Sequence, residues 1–202
     1  MKKILDKVMD IYKMDVFKRS AIIWVAFQVI LWVTFYISYL FNVDSWSNVL
    51  EAGHVVSNSG SFLSTLLFII GNNLIIILII TLGNMFVRFG VIIPGLLVLL
   101  IQGIVIGSVA GSNTFEFPFV SVLEANIQYL KVGLWETTAY ALICGVTLTK
   151  SLNIARTFPE KEWSEVRKLK DINFTTAEKS LAVISILVLI MSAFIEAILI
   201  TA

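Results

Sequence analysis

The sequence predicts an all-α, polytopic transmembrane bundle of about five helices, and three observations carry that prediction. The first is composition: 58% of the 202 residues are hydrophobic, only 14% are charged, and mean hydropathy is +0.91. Soluble domains run at roughly 45–50% apolar and about 25% charged, so this chain lacks the polar surface to cover a water-soluble globule. The second is the recurrence of apolar runs near the length of about 20 residues that crosses a bilayer. The third is the placement of charge, which is almost entirely one-sided. A net charge of +1 makes no case for a nucleic-acid partner, and a single cysteine, Cys144, excludes a disulfide framework.

The candidate spans are residues 21–41, 66–87, 91–110, 132–148 and 181–200, the last two carrying one acid each, Glu136 and Glu196. Residues 62–70 read either as a separate half-helix or as part of the second span. The first span follows a basic stretch, but its apolar run is longer than that of a signal peptide, so an anchor is expected. Lysine and arginine fall before span one, at Arg88 between spans two and three, and in the charged segment 150–179 between spans four and five. Lys131 is the single exception among the 15 basic residues. The opposite loops hold Asp44, Glu51, Glu116 and Glu124 and no base. Positive-inside bias then predicts a cytoplasmic N-terminus, an outside C-terminus and a multi-pass protein of the cell membrane.

Two domains follow: a cytoplasmic segment, 1–19, and one transmembrane domain, 20–202. Ile4, Leu5, Val8, Ile11 and Tyr12 recur at helical spacing, which predicts an amphipathic helix over residues 2–17, resting on anionic lipid or docking a partner. Residues 153–178 read as a charged helical hairpin or loop. Asn173-Phe174-Thr175 matches a glycosylation acceptor without meaning on the cytoplasmic side. Phe115, Phe117, Phe119 and Tyr129, interleaved with acids, suit a stretch lying in the headgroup layer.

Span three carries Gly103, Gly107 and Gly111 four residues apart. Such a strip lets another helix approach to backbone contact. It serves packing within the bundle, or homodimerisation, or docking of a partner's span. Polar groups in spans are costly, which singles out Asn72, Asn73, Asn84, Gln102, Glu136 and Glu196. On the predicted threading, Glu136 lies roughly 7–8 Å below the outer surface and Glu196 near the same level. Asn72 and Asn73 enter the membrane from that side too. One layer of two carboxyls and two amides is therefore expected. It either holds the bundle together or forms a site for a cation, a proton or a basic or amidic peptide segment. Hydrolysis by the two glutamates has no supporting histidine, since the only one, His54, falls in an outside loop and reads as a surface residue. No metal-ligand spacing and no P-loop appear, so no cofactor is expected and the chain does not itself drive transport with ATP.

At these residues the sequence resembles the stage II sporulation protein M family of integral membrane proteins. Three motifs carry the resemblance. Gly71-Asn72-Asn73 precedes an apolar helix, a turn and the Gly103/Gly107/Gly111 helix. Gly133-Leu134-Trp135-Glu136 opens span four, and Ala193-Phe194-Ile195-Glu196-Ala197 closes the last helix. Together they cover residues 62–202. The family reads His-Gly-x-x-Glu where this chain has Val132 before Gly133. The positions carried over are therefore Asn72, Asn73, Gly133, Glu136 and Glu196. The resemblance implies a non-enzymatic subunit that anchors or recruits partners such as cell-wall hydrolases. Its other branches imply a permease-like part of peptide export or immunity, paired with a separate ATPase. The expected partners are thus the lipid bilayer and a protein, either an ATPase subunit, a cell-wall hydrolase or a second copy.

Overall fold

The computed structural model describes residues 10–47, 61–115, 118–155 and 162–201. His54, Glu51, Glu116, Phe117 and the first turns of the predicted amphipathic helix lie outside them. Helix α1 spans Val16–Phe41, a short α2 spans Val43–Ser47, and α3 spans Phe62–Phe86. Strand β1, Val87–Phe89, leads into α4, Pro94–Ser112. Helix α5, Val122–Gln128, continues through a π-helical stretch, Tyr129–Gly133, into α6, Leu134–Thr147. Strands β2, Asn153–Ala155, and β3, Ser164–Glu165, precede a 3₁₀ turn, Leu169–Asp171, and the last helix, α7, Thr176–Thr201.

Helices α1, α3, α4 and α7 are long and apolar enough to cross a membrane, and the chain is a multi-pass integral membrane protein. Their outward faces are rows of bare apolar side chains, such as Val25, Val29 and Val33 on α1 and Val183, Leu187 and Met191 on α7. Water does not tolerate patches of that extent. Helix α6 is the axial element. Thr137, Ala139, Tyr140, Ala141, Ile143, Cys144 and Gly145 are all buried, and Tyr140, Cys144 and Leu148 join Phe27, Leu31, Ile80, Leu99 and Leu189 in the main core.

Local chemistry sets the ends. The Asp15 carboxylate accepts from the Phe17 and Lys18 amides at 3.1 Å each and starts α1; the Lys18 amide above all holds its pKa below the usual carboxylate range. The chain turns at Tyr12–Met14, so the amphipathic helix expected to run to residue 17 stops short of Asp15. Pro94 sits in the first turn of α4, where a missing N–H costs nothing. Asn113 ends that helix in the left-handed region, φ 55°, and its amide bonds both the carbonyl and the N–H of Phe119 at 2.9 Å.

Residues 62–70 are the first turns of one continuous helix, not a separate half-helix. Over the fourth predicted span the helical run begins earlier than residue 132, and α6 itself is not among the four membrane-length helices. The Ser121 hydroxyl caps α5 at the Glu124 amide, and the helical run continues to Thr147. Of the aromatic residues expected in the headgroup layer, Phe119 packs beside Phe35, Trp46 and Ala125. The segment expected as a helical hairpin or loop forms two short strands. There, β2 pairs parallel with β1 and antiparallel with β3. The pairing has a cause in α3, whose last carbonyls need donors. Ser151 Oγ donates to the Asn84 carbonyl at 2.8 Å, Leu152 N to that of Met85 at 2.7 Å, and Asn153 Nδ2 to that of Phe86 at 3.1 Å.

The glycine strip fixes how α4 sits. Ideal Cβ atoms at Gly103, Gly107 and Gly111 would strike, in turn, the Phe27 ring, the Leu31 carbonyl and the Phe35 carbonyl of α1. Both helices advance together along this contact, so they run parallel, with α3 returning between them. Ser38 Oγ donates to the Ser108 carbonyl across the same seam at 2.8 Å. The strip is consumed inside the bundle, which leaves it unavailable to a second copy or a partner's span.

Candidate functional site: a carboxyl pair under an apolar cavity

The bundle has a basic end and a far end. Among the described residues, Lys131 alone of the lysines and arginines belongs to the far end, on the stretch between α5 and α6. Toward that end, Glu136 of α6 and Glu196 of α7 come to the edge of one cavity. Asn73 of α3 joins them: its Nδ2 donates to Glu136 Oε1 at 2.5 Å, and its Oδ1 accepts from the Tyr140 hydroxyl. One carboxyl oxygen of Glu136 is thereby fixed by a side chain that is itself fixed.

Of the polar layer expected from sequence, Asn73, Glu136 and Glu196 come together. Asn72 does not. Neighbouring positions on a helix point about 100° apart, and Asn72 is exposed on the outer face of α3 while Asn73 is buried. Gly71 stands on that outer face as well, with open space where a Cβ would be. Asn84 belongs to another level, donating to Thr147 Oγ1 at 2.8 Å in the basic half of the bundle. Tyr140 is the member that sequence reasoning missed. Its signal was its place one turn below Glu136 on the same helix face.

Above the carboxyls lies a cavity of about 320 Å³. Glu136 and Glu196 border it, Trp32 and Phe35 of α1 form an aromatic wall, and Phe119 and Tyr129 face them. No lysine or arginine is among its lining residues. The Tyr129 ring folds back over Gly133, where a Cβ would stand 2.7 Å from it. That lets its hydroxyl donate to Gln28 Oε1 at 2.7 Å. The Tyr129 ring also meets Trp32 edge-on at 5.3 Å. Gly133 thus keeps a wall of the cavity in place, and the π-helical turn around it is the kind of distortion found at functional sites.

A second ionic centre closes the basic end. The Glu178 carboxylate takes Lys150 Nζ at 2.8 Å, Arg19 Nη2 at 3.4 Å and the Thr175 amide at 2.9 Å. Lys150 also donates to the Asn173 carbonyl at 2.9 Å, and Arg19 Nε to that of Gly145 at 2.6 Å. Glu178 N returns a bond to Thr175 Oγ1 at 3.2 Å, which makes Thr175-x-x-Glu178 a capping box for α7. That pattern stood in the sequence, overlapping the glycosylation-like triplet. Among the described residues, no three histidine, cysteine or acidic side chains are grouped to hold a metal ion. Compared with protein families, curated proteins and solved structures, the chain matches none, so the resemblance to stage II sporulation protein M rests on its three motifs.

Proposed function

We propose that the chain is a non-enzymatic, five-span subunit of the cell membrane, N-terminus inside and C-terminus outside, that binds a ligand from the outer side and works as a permease-like or immunity component with a separate ATPase. The fifth span is the run α5–α6, and the segregation of basic residues to one end supports the orientation. The observation that carries the reading is the cavity between α1 and α6 with two glutamates at its floor. A structural layer has no use for unfilled space beside costly polar groups, whereas a binding site requires it. Membership of the stage II sporulation protein M family is part of the proposal, on the motifs named above.

The scaffold reading loses the glycine strip as a contact but gains Asn72. An amide facing lipid in mid-helix is the sort of group that a partner helix satisfies. Accessibility tests the proposal. In a Cys144→Ala background, Asn126→Cys, which lines the cavity, should react with a small membrane-impermeant thiol reagent in intact cells. Ser164→Cys in β3 should react only after permeabilisation. The reverse pattern overturns both the orientation and the outward-facing cavity. An ATPase co-purifying in fixed stoichiometry would support the exporter form, and a wall hydrolase the scaffold.

A further inference from the structure

We infer that the ligand class of this cavity is a small cationic amphiphile: a protonated amine or similar group on an apolar or aromatic body, without an anionic group of its own. The inference deepens the proposed function and rests on the cavity being a binding site.

Charge supplies the first argument. Two acids from different helices meet at the cavity floor, and the lining holds no lysine or arginine to balance them. The groups that do contact Glu136 are an amide and, through it, a phenol. Neither brings positive charge. At the basic end the same chain gives the buried Glu178 two cations. An ammonium entering the far cavity would supply the missing counter-charge, and its three N–H donors suit two facing carboxyls better than one.

The walls supply the second argument. Trp32, Phe35 and Phe119 offer aromatic surface, and Leu31, Ile106 and Val132 offer aliphatic surface around the same space. Such walls take an apolar body, and aromatic rings add attraction for a cation near their faces. A volume of about 320 Å³ lies at the small end of ligand pockets, which run from roughly 300 to 1,000 Å³. It admits an arylalkylamine, or one end residue of an apolar peptide. A zwitterionic phospholipid fits poorly, because its phosphate would meet carboxylates with no cation beside them.

The probes are 2-phenylethylamine, 2-phenylethanol and phenylacetate, which share a body and differ in the charge of the head. Binding is read calorimetrically on the purified full-length protein in nanodiscs at neutral pH. The amine should bind at least about tenfold more tightly than the alcohol, with the acid weakest; tenfold corresponds to about 1.4 kcal/mol. Glu136→Gln and Glu196→Gln should each erase the preference for the amine over the alcohol. A second readout needs no folded Gln variant. Asn126→Cys in the Cys144→Ala background should react faster with a cationic methanethiosulfonate than with an anionic one of similar size. Equal binding of amine and alcohol, together with equal reaction of the two reagents, overturns the cationic assignment and leaves the cavity reading standing. No binding by any probe, with Asn126→Cys inert to both reagents, overturns the binding site itself.

Discussion

Two acidic centres among the described residues, one buried at Glu178 and one half-buried at Glu136 and Glu196, are built on opposite plans. At the basic end, Glu178, Arg19 and Lys150 are each no more than 7% exposed, and their polar atoms are spent on one another, on main-chain carbonyls and on the start of α7. At the far end, Glu136 takes the Asn73 amide, which in turn takes the Tyr140 phenol, and Glu136 and Glu196 both border empty space. The first arrangement is paired within the fold: both oxygens of Glu178 have a cation, and each cation also bonds a main-chain carbonyl. The second keeps capacity in reserve. An acid drawn out of water calls for partners, and at the basic end the chain supplies them itself.

Breaking the paired centre should have the largest effect. Glu178→Ala leaves Arg19 and Lys150 buried without their acid, a change that costs about 3–5 kcal/mol. Thermal unfolding in a mild detergent should show the loss, and an unchanged midpoint would mean that the cluster is not a closed lock. The next effect sharpens the comparison at the far end. Asn73→Leu removes the partner of both Glu136 and Tyr140 and should cost about 1–3 kcal/mol. Its neighbour Asn72→Leu should stay within about 0.5 kcal/mol. Equal losses at the two positions would contradict the orientation of α3.

The smallest effect is a pH dependence at the basic end. Tyr12 packs against the Arg88 guanidinium, whose carbon lies 4.6 Å from the ring centre. Burial pushes its phenol up to about 12 from an ordinary 10, against the opposing pull of Arg88. A raised folded-state value means that the contribution is whole below pH 10 and is lost as pH rises toward 12. Wild type should therefore lose slightly more stability over that window than Tyr12→Phe does. Parallel pH profiles for the two proteins would remove Tyr12 from the account.

Much of the bundle was legible because its signals are one-dimensional. Length of apolar runs, placement of lysine and arginine, and glycine every fourth residue can all be read without knowing what faces what. Rotation could not be read. Helix α3 is apolar all round, so no periodic polar face says which of Asn72 and Asn73 points inward. The start of the fourth predicted span was missed because Glu124, Asn126, Gln128 and Lys131 lower its hydropathy. Those residues belong to a helix whose inner side lines the cavity. The pairing of Arg19 with Glu178 joins positions 159 residues apart, and β1–β2 exists only because α3 needs donors at its end. Both are products of the assembled fold. The capping box at Thr175 is a different case: its pattern was present in the sequence, and the overlapping glycosylation-like triplet drew attention away from it.

The π-helical stretch Tyr129–Gly133 holds one more residue than an ordinary helical turn, and its wider winding absorbs that residue locally, so the faces before and after it keep the register of an unbroken helix. Ala125, Asn126 and Glu136 thereby border one cavity. Deleting one residue from the stretch would restore ordinary winding with those faces kept, whereas the same deletion within α5 or α6 would turn its two sides by about 100° relative to each other. The stretch is thus the place in this run where a change of length can be absorbed.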